Sequence, residues 1–165
     1  MPTSDQAAIR LVLERFPYGI FIVATNSGSD GVVAVLATWV SQISFDPTLI
    51  AVSLERGGIL AGALQESGEF SVNIVPSDGI GTAKVVLKSG SHMDDAETRA
   101  LFARAEGGVP VLRESAGVLL CHTHRVVEAG DHDLILAEVT RADAAGASQP
   151  LSLEDTGWKY RQKNS

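Results

Sequence analysis

The chain has 165 residues, 45% of them hydrophobic, which is enough for one domain with a buried core. Its 13 basic and 20 acidic residues give a net charge of −7, which argues against nucleic acid or an anionic membrane as the main partner. The single cysteine, Cys121, excludes an internal disulfide and a multi-cysteine metal centre. The first residues lack the basic and apolar regions typical of a secretory leader, and no apolar run approaches the roughly 20 residues that cross a bilayer, so neither a leader nor a membrane span is expected. We therefore expect one soluble cytoplasmic domain over residues 1–165.

Hydrophobic patterning predicts a chain made mainly of strands. A first helix is expected from Thr3 or Ser4 to about Arg15. Strands are predicted at Gly19–Thr25, Val32–Ser44, Thr48–Leu54, Glu69–Val75, Val118–Val127 and Asp133–Thr140, with hairpin turns at Asn26–Gly31 and Asp46-Pro47. Further helices are expected at Ile59–Glu66, after Gly81 and over Asp95–Ala105, and loops at Ser89–Asp95 and Gly107–Glu114.

The helices do not alternate strictly with the strands. This order favours a closed antiparallel β-barrel with peripheral helices over a doubly wound parallel sheet. The glycine-rich motifs of dinucleotide-binding Rossmann folds and of P-loop enzymes are also missing from the sequence. The predicted fold class is therefore mainly β.

Polar side chains interrupt the second predicted strand at Thr38, Trp39, Ser41, Gln42 and Ser44. Buried hydroxyls and an indole N–H must find hydrogen-bond partners, so either the fold or a polar ligand satisfies them. Residues 38–42 could present backbone groups and hydroxyls to the polar edge of a flat heterocycle, with Trp39 covering its apolar surface. The alternative is that Trp39 is a core or interface aromatic whose N–H meets a carbonyl.

A possible anion site follows the third strand. Gly57 and Gly58 begin a short helix just after Ser53 and Arg56. Exposed N–H groups at a helix N-terminus beside a guanidinium suit a phosphate. The alternative is that the glycines only make the strand-to-helix turn and that Arg56 is solvated.

Histidine is the usual candidate for acid or base chemistry, and His132 lies beside Asp131 in a predicted turn. The two residues could equally form a structural pair. His122 and His124 share a strand face, but no third ligand has metal-like spacing, so no metal site is predicted.

The sequence contains few other residues in patterns typical of a binding or catalytic site. Lys84 and Lys88 lie one turn apart on a predicted helix and are solvated unless that helix faces a phosphate pocket. Cys121 lies in the middle of a strand, and no Gly-x-Ser-x-Gly elbow is present, so nucleophilic catalysis is not expected.

Several short blocks occur along the chain in a recognisable order. They are Phe16–Gly19, Trp39–Pro47, Glu66–Asn73, Pro110–Leu112 and Gly130–His132, and they are spread over most of the range 16–140. This ordered set resembles the flavin-reductase-like proteins of the FMN-binding split-barrel superfamily. The resemblance implies a Greek-key split β-barrel, usually a homodimer, with FMN in a groove at the subunit interface and NAD(P)H as the hydride donor. The resemblance leaves open whether the bound flavin is FMN or FAD.

The resemblance also assigns residues. It implies that Thr38, Trp39, Val40 and Ser41 contact the isoalloxazine ring and ribityl chain, and that Ser53, Arg56, Gly57 and Gly58 bind the phosphate. His132 is expected near the flavin or the nicotinamide. Lys84, Lys88 and Ser89 are further candidates for cofactor binding, although only Ser89-Gly90 matches the family in that segment. Relatives often have a hydroxyl where this chain has Gly57-Gly58, so the phosphate would depend on backbone N–H groups and nearby basic side chains.

The implied function is an FMN-binding, NAD(P)H-dependent oxidoreductase of the flavin-reductase type. It would pass electrons to free flavin, to a monooxygenase partner or to another acceptor. Hydride transfer between two stacked rings needs no nucleophile or metal, which agrees with the sequence. The alternatives are a non-catalytic FMN-binding or flavin-carrier protein on the same fold, and a structural barrel without a ligand.

Overall fold

The computed structural model describes residues 4–28, 31–144 and 148–159. The helices in these ranges are α1 (Ser4–Leu13), α2 (Ile59–Ser67), α3 (Ile80–Lys88), α4 (Ala96–Ala100) and α5 (Leu153–Thr156). The strands are β1 (Phe21–Ser27), β2 (Gly31–Ala37), β3 (Val40–Phe45), β4 (Thr48–Glu55), β5 (Glu69–Ile74), β6 (Phe102–Arg104), β7 (Pro110–Leu112), β8 (Gly117–Ala129) and β9 (His132–Asp143). Thr3 and residues 29 and 30 of the predicted hairpin turn lie outside the described residues.

Seven strands form one antiparallel sheet in the order β2-β1-β5-β8-β9-β4-β3, and β6 pairs with β7 in a separate hairpin. The mainly β prediction is confirmed. The expected hydrogen-bonded closure is not found in the described ranges, because β2 and β3 are the two edges of the sheet. The barrel is therefore split along these two edges.

The strand predicted over Val32–Ser44 is wrong, since two strands occupy this stretch. β2 ends at Ala37 and β3 begins at Val40. The two strands lie at opposite edges of the sheet, joined through Thr38 and Trp39. A run of β-branched and polar residues favours extended backbone throughout, but it does not show where the chain leaves one strand for another.

Two hydrophobic clusters use opposite faces of the same strands. Val23 of β1 and Val33 of β2 belong to a cluster that includes Phe70 and residues of α2, β4 and β9. Ile22 and Ala34, one position away on the same strands, face a second cluster that includes residues of α3. Side chains alternate between the two faces of a strand, so both sides of β1 and β2 are buried.

The helix predicted over Asp95–Ala105 is correct only in its first half. Asp95 caps α4 by accepting a hydrogen bond from Thr98 N at 2.8 Å, which also lowers the pKa of the Asp95 carboxyl. The chain then enters β6, which pairs with β7 inside the predicted loop Gly107–Glu114. The Asp46-Pro47 turn, α2 and its end at Gly68 agree with the predictions. No helix in the described part of the chain has the length and apolar character needed to cross a membrane.

Candidate functional site

A groove of about 380 Å³ opens beside the link between β2 and β3. Its lining residues come from the segment after α1, from the link, and from β1, β3, β4 and β9. They are Pro17, Tyr18, Gly19, Phe21, Thr38, Trp39, Val40, Ser41, Ala51, Ser53 and Leu134. The structure thus brings Thr38, Trp39, Val40, Ser41 and Ser53, which were predicted as cofactor-binding residues, into one concave site.

Strand register explains why hydroxyls and apolar groups share this groove. Ser41 on β3 is opposite Ala51 on β4, and Ser53 on β4 is opposite Leu134 on β9. Residues opposite each other in an antiparallel pair lie on the same face of the sheet. The result is an apolar floor that carries two hydroxyl groups.

Thr38 lies in the wall of the groove with a side chain that lacks a hydrogen-bond partner. The residue is 8% exposed, and its Oγ1 atom is buried without a partner among the described residues. By contrast, the buried Thr25 Oγ1 lies 2.8 Å from Ser67 Oγ and donates to Glu69 O at 2.6 Å. An unpaired buried hydroxyl costs about 1–3 kcal/mol, so the Thr38 side chain carries a hydrogen-bonding group that the described residues leave unused.

Trp39 and His132 meet beside the groove although they are far apart in the sequence. Trp39 O accepts a hydrogen bond from Ser53 N at 3.0 Å, which holds the link against β4. The Trp39 and His132 ring centroids are 5.0 Å apart, with the planes tilted by 48°. The structure therefore brings these two predicted residues together.

The His132 side chain is 14% exposed and pairs with the residue before it. His132 Nδ1 lies 2.7 Å from Asp131 Oδ1. An ionised carboxylate can only accept a hydrogen bond, so Nδ1 carries a proton and, in the neutral ring, Nε2 is the acceptor nitrogen. Asp131 thus fixes the tautomer and orientation of the imidazole.

Arg56 is bound to acidic residues of the β8–β9 turn. Its Nε donates to Asp133 Oδ1 at 3.0 Å, and its guanidinium lies 3.7 Å from Glu128. Its backbone N donates to Asp131 O at 3.1 Å. Neither sequence interpretation of Arg56, a phosphate ligand or a solvated side chain, anticipates these contacts.

Gly57 and Gly58 form the turn from β4 to α2. Gly57 has a φ of +73°, and Gly58 N donates to Glu55 O at 3.1 Å. A Cβ on Gly58 would lie 3.0 Å from the same carbonyl. The turn geometry alone therefore accounts for both glycines, and neither lines the groove.

The remaining candidates lie on and after α3. Lys84 and Lys88 belong to that helix, and Ser89 at its C-terminus donates to Val86 O at 2.7 Å. None of the three lines the groove. Sequence reasoning did not single out Tyr18 and Leu134, which do line it. Tyr18 lies in the Phe16–Gly19 block, whereas Leu134 is found only once its pairing with Ser53 is known.

Comparison with known proteins identifies the family. Residues 13–162 match the model of the flavin reductase like domain. The chain belongs to this family. It is 30% identical over 142 residues to the NADH-dependent FMN reductase AsuE2 of Streptomyces nodosus subsp. asukaensis, a match that covers 84% of this chain and 76% of that protein.

The chain spans less than two thirds of the length of some of the relatives that it matches. The chain is 25% identical over 142 residues to the stachydrine N-demethylase reductase subunit Stc3 of Rhizobium meliloti, covering 86% of itself but only 60% of Stc3. It spans about a quarter of the diflavin flavoproteins that it also matches. Among solved structures, the flavin reductase PheA2 aligns with a TM-score of 0.77 and 24% identity over 90% of this chain and 92% of that one. This similarity confirms the split-barrel fold.

Proposed function

We propose that this protein is an NAD(P)H-dependent flavin reductase that binds FMN, or FAD, in the groove beside Thr38 and Trp39. The observation that carries the proposal is the unpaired hydroxyl of Thr38 in a groove bordered by the Trp39–His132 pair. The name of the relative AsuE2, an NADH-dependent FMN reductase, supports the same reaction.

The groove residues suit a flat ring with one polar edge. Phe21 and Leu134 offer apolar surface, while Thr38, Ser41 and Ser53 offer hydroxyl groups. When bound, FMN supplies the ring system that accepts a hydride from the nicotinamide. The chain binds and orients that ring and excludes water from its apolar parts, and no nucleophilic side chain is needed.

Trp39 and His132 have separate tasks in this proposal. The indole of Trp39 covers apolar ring surface, since large aromatic side chains dominate contact energies at binding sites. His132 keeps a proton on Nδ1 through Asp131 and orients the hydride donor through the rest of its ring. His132 is therefore the proposed catalytic residue.

We also propose a homodimer that uses the β3 edge. β3 pairs only with β4 in the described sheet, and it exposes Ile43 and Phe45, the latter by 89%. An edge strand with exposed large apolar side chains is typical of a protein interface. Because Val40 and Ser41 of the same strand line the groove, a partner at this edge would border the flavin.

A monooxygenase component or free flavin is the proposed electron acceptor. The name of Stc3, the reductase subunit of a demethylase, supports the first possibility.

Anaerobic titration tests the central proposal. Purified protein loaded with FMN is titrated with NADH and with NADPH while flavin absorbance is followed. We expect bleaching by at least one nicotinamide, faster than that of free FMN at the same concentration. Flavin that binds but is reduced by neither donor would favour the flavin-carrier alternative. A protein that neither binds FMN nor speeds its reduction by either nicotinamide would refute the proposal.

A further inference from the structure

Arg56 contacts both sides of the turn that carries His132. Glu128 lies near the end of β8, and Asp133 follows His132 at the start of β9. The Arg56 side chain reaches both carboxylates, and its backbone N donates to Asp131 O between them. Glu55, the residue before Arg56, is opposite His132 in the β4–β9 ladder. Arg56 therefore fixes the turn through three separate contacts.

The contact with Asp133 is the strongest of these. The Asp133 side chain is 17% exposed and the Arg56 side chain 42% exposed, so their pair at 3.0 Å is partly shielded from solvent on the Asp133 side. The Glu128 side chain is 84% exposed, and its distance is 3.7 Å. Exposed ion pairs contribute little, so the short, charge-assisted hydrogen bond to Asp133 is the side-chain contact that holds Arg56 in one geometry.

The charges around Arg56 do not favour a phosphate. Asp133 and Glu128 place two carboxylates at one guanidinium, and a third, that of Asp131, lies in the same turn beside His132. The positive charge of Arg56 is already offset by these groups, and a phosphate dianion brought to the same place would meet net negative charge.

We propose that Arg56 is a positioning residue for His132 and does not bind the flavin phosphate. The inference depends on the proposed function, since it concerns how the site is held for hydride transfer. Arg56 acts through Asp133 and the turn. The position of this turn then sets the distance between the His132 and Trp39 rings. Gly57 and Gly58, which follow Arg56, are explained by the turn from β4 to α2. They therefore do not indicate a phosphate site next to Arg56.

Three variants separate the two roles. Arg56→Gln and Asp133→Asn each remove one partner of the pair, and the double variant removes both. Arg141→Gln is the matched control, because it also removes one exposed arginine that is paired with a carboxylate, Glu106. Arg141 lies nine residues beyond His132 on β9, roughly 30 Å away along the strand.

The first readout is affinity for FMN and for riboflavin, which differ only in the phosphate. We expect Arg56→Gln to leave the ratio of the two dissociation constants within about twofold of the wild-type ratio. A rise of about tenfold or more in the dissociation constant for FMN relative to that for riboflavin would show a lost phosphate contact and would overturn the inference.

The second readout needs no flavin. The ring ¹⁵N signals of the histidines are recorded in the ligand-free protein, with His132 assigned from its own substitution. We expect Arg56→Gln and Asp133→Asn to shift the His132 signals alike, while Arg141→Gln leaves them in place. Unchanged His132 signals in both variants of the pair would overturn the inference.

The third readout is the rate of flavin reduction in stopped flow. We expect a fall of about tenfold in each single variant and no further fall in the double variant, because the two residues act as one unit. Additive losses would overturn the inference. If the wild-type protein shows no reduction at all, the proposed function fails, and the histidine signals still decide the role of Arg56.

Discussion

Replacing Thr38 by valine should stabilise the ligand-free protein and weaken flavin binding. The substitution exchanges a buried, unpartnered hydroxyl for a methyl group of similar size. Burial of such a hydroxyl costs about 1–3 kcal/mol. Because the valine methyl must also fit the existing packing, we expect a net gain of about 1 kcal/mol in the free energy of unfolding. For a chain of this length the gain raises the melting temperature by about 2–4 °C.

The effect on the loaded protein has the opposite sign. If the flavin supplies the missing partner, Thr38→Val removes one hydrogen bond from the complex, worth about 1 kcal/mol. The dissociation constant for FMN then rises about fivefold. General damage to the fold would lower both the stability and the affinity for FMN. A variant that is more stable but binds FMN more weakly therefore points to the Thr38 hydroxyl itself.

Two other threonines provide matched controls. The Thr25 hydroxyl has two partners, so Thr25→Val should destabilise the protein by about 1–3 kcal/mol. Thr123 Oγ1 is buried without a partner, like that of Thr38, but Thr123 does not line the groove. Thr123→Val should therefore stabilise the protein and leave FMN affinity unchanged.

Urea unfolding of the ligand-free variants and FMN titrations give both quantities. Loss of stability in Thr38→Val, similar to that of Thr25→Val, would refute the argument from the unpaired hydroxyl. An unchanged affinity for FMN would refute the placement of the flavin against Thr38.

Four further predictions follow from single residues. His132→Ala should slow flavin reduction by a larger factor than it raises the FMN dissociation constant, as measured by stopped flow and titration. Asn73→Leu should lower the free energy of unfolding by about 3 kcal/mol or more, because the buried amide donates to Ile22 O and Ser71 Oγ and accepts from Leu112 N, each at 2.8 Å. Gly68→Ala should cost about 1 kcal/mol, since Gly68 ends α2 with a φ of +69°, whereas Gly62→Ala inside the same helix should gain about 0.5–1 kcal/mol. Burial raises the pKa of the Cys121 thiol from 9.0 to about 12, so the unfolded chain loses this proton first and stability falls as pH rises above 9, by about 1.4 kcal/mol per pH unit.

Each of these predictions has an outcome that contradicts it. Equal losses of reduction rate and FMN affinity in His132→Ala would indicate a binding role only. An Asn73→Leu variant as stable as the wild type would mean that the three hydrogen bonds are replaced by water. Alanine effects of the same sign at Gly68 and Gly62 would contradict the backbone argument. A Cys121→Ala variant with the wild-type slope of stability between pH 9 and 11 would show that another group titrates.

The sequence was a good guide where local chemistry decides the structure. The end of α2 at Gly68, the Asp46-Pro47 turn and the strand after it depend on neighbouring residues, and these predictions are confirmed. The division of the stretch 32–44 into two strands was missed, because the pairing of β2 with β1 and of β3 with β4 is decided by distant residues.

The same limit applies to the candidate site. The polar residues of the link drew attention because their types are unusual in a strand, and the structure gathers them in the groove. The partners of Arg56 were not visible in the sequence, since Asp133 lies 77 positions further along the chain. A guanidinium beside two glycines has the local pattern of an anion site whether or not carboxylates from another hairpin already surround it.

The short connection from Ala37 to Val40 also limits how far the two edges of the sheet can move apart. Two intervening residues allow at most about 11 Å between the ends of β2 and β3, whatever the rest of the chain does. If the β2 and β3 edges move apart, their separation is therefore largest at the other ends of the two strands, near Gly31 and Phe45. The groove lies beside the Ala37–Val40 connection, where such displacements are smallest. We therefore expect its shape to change little when the two edges separate.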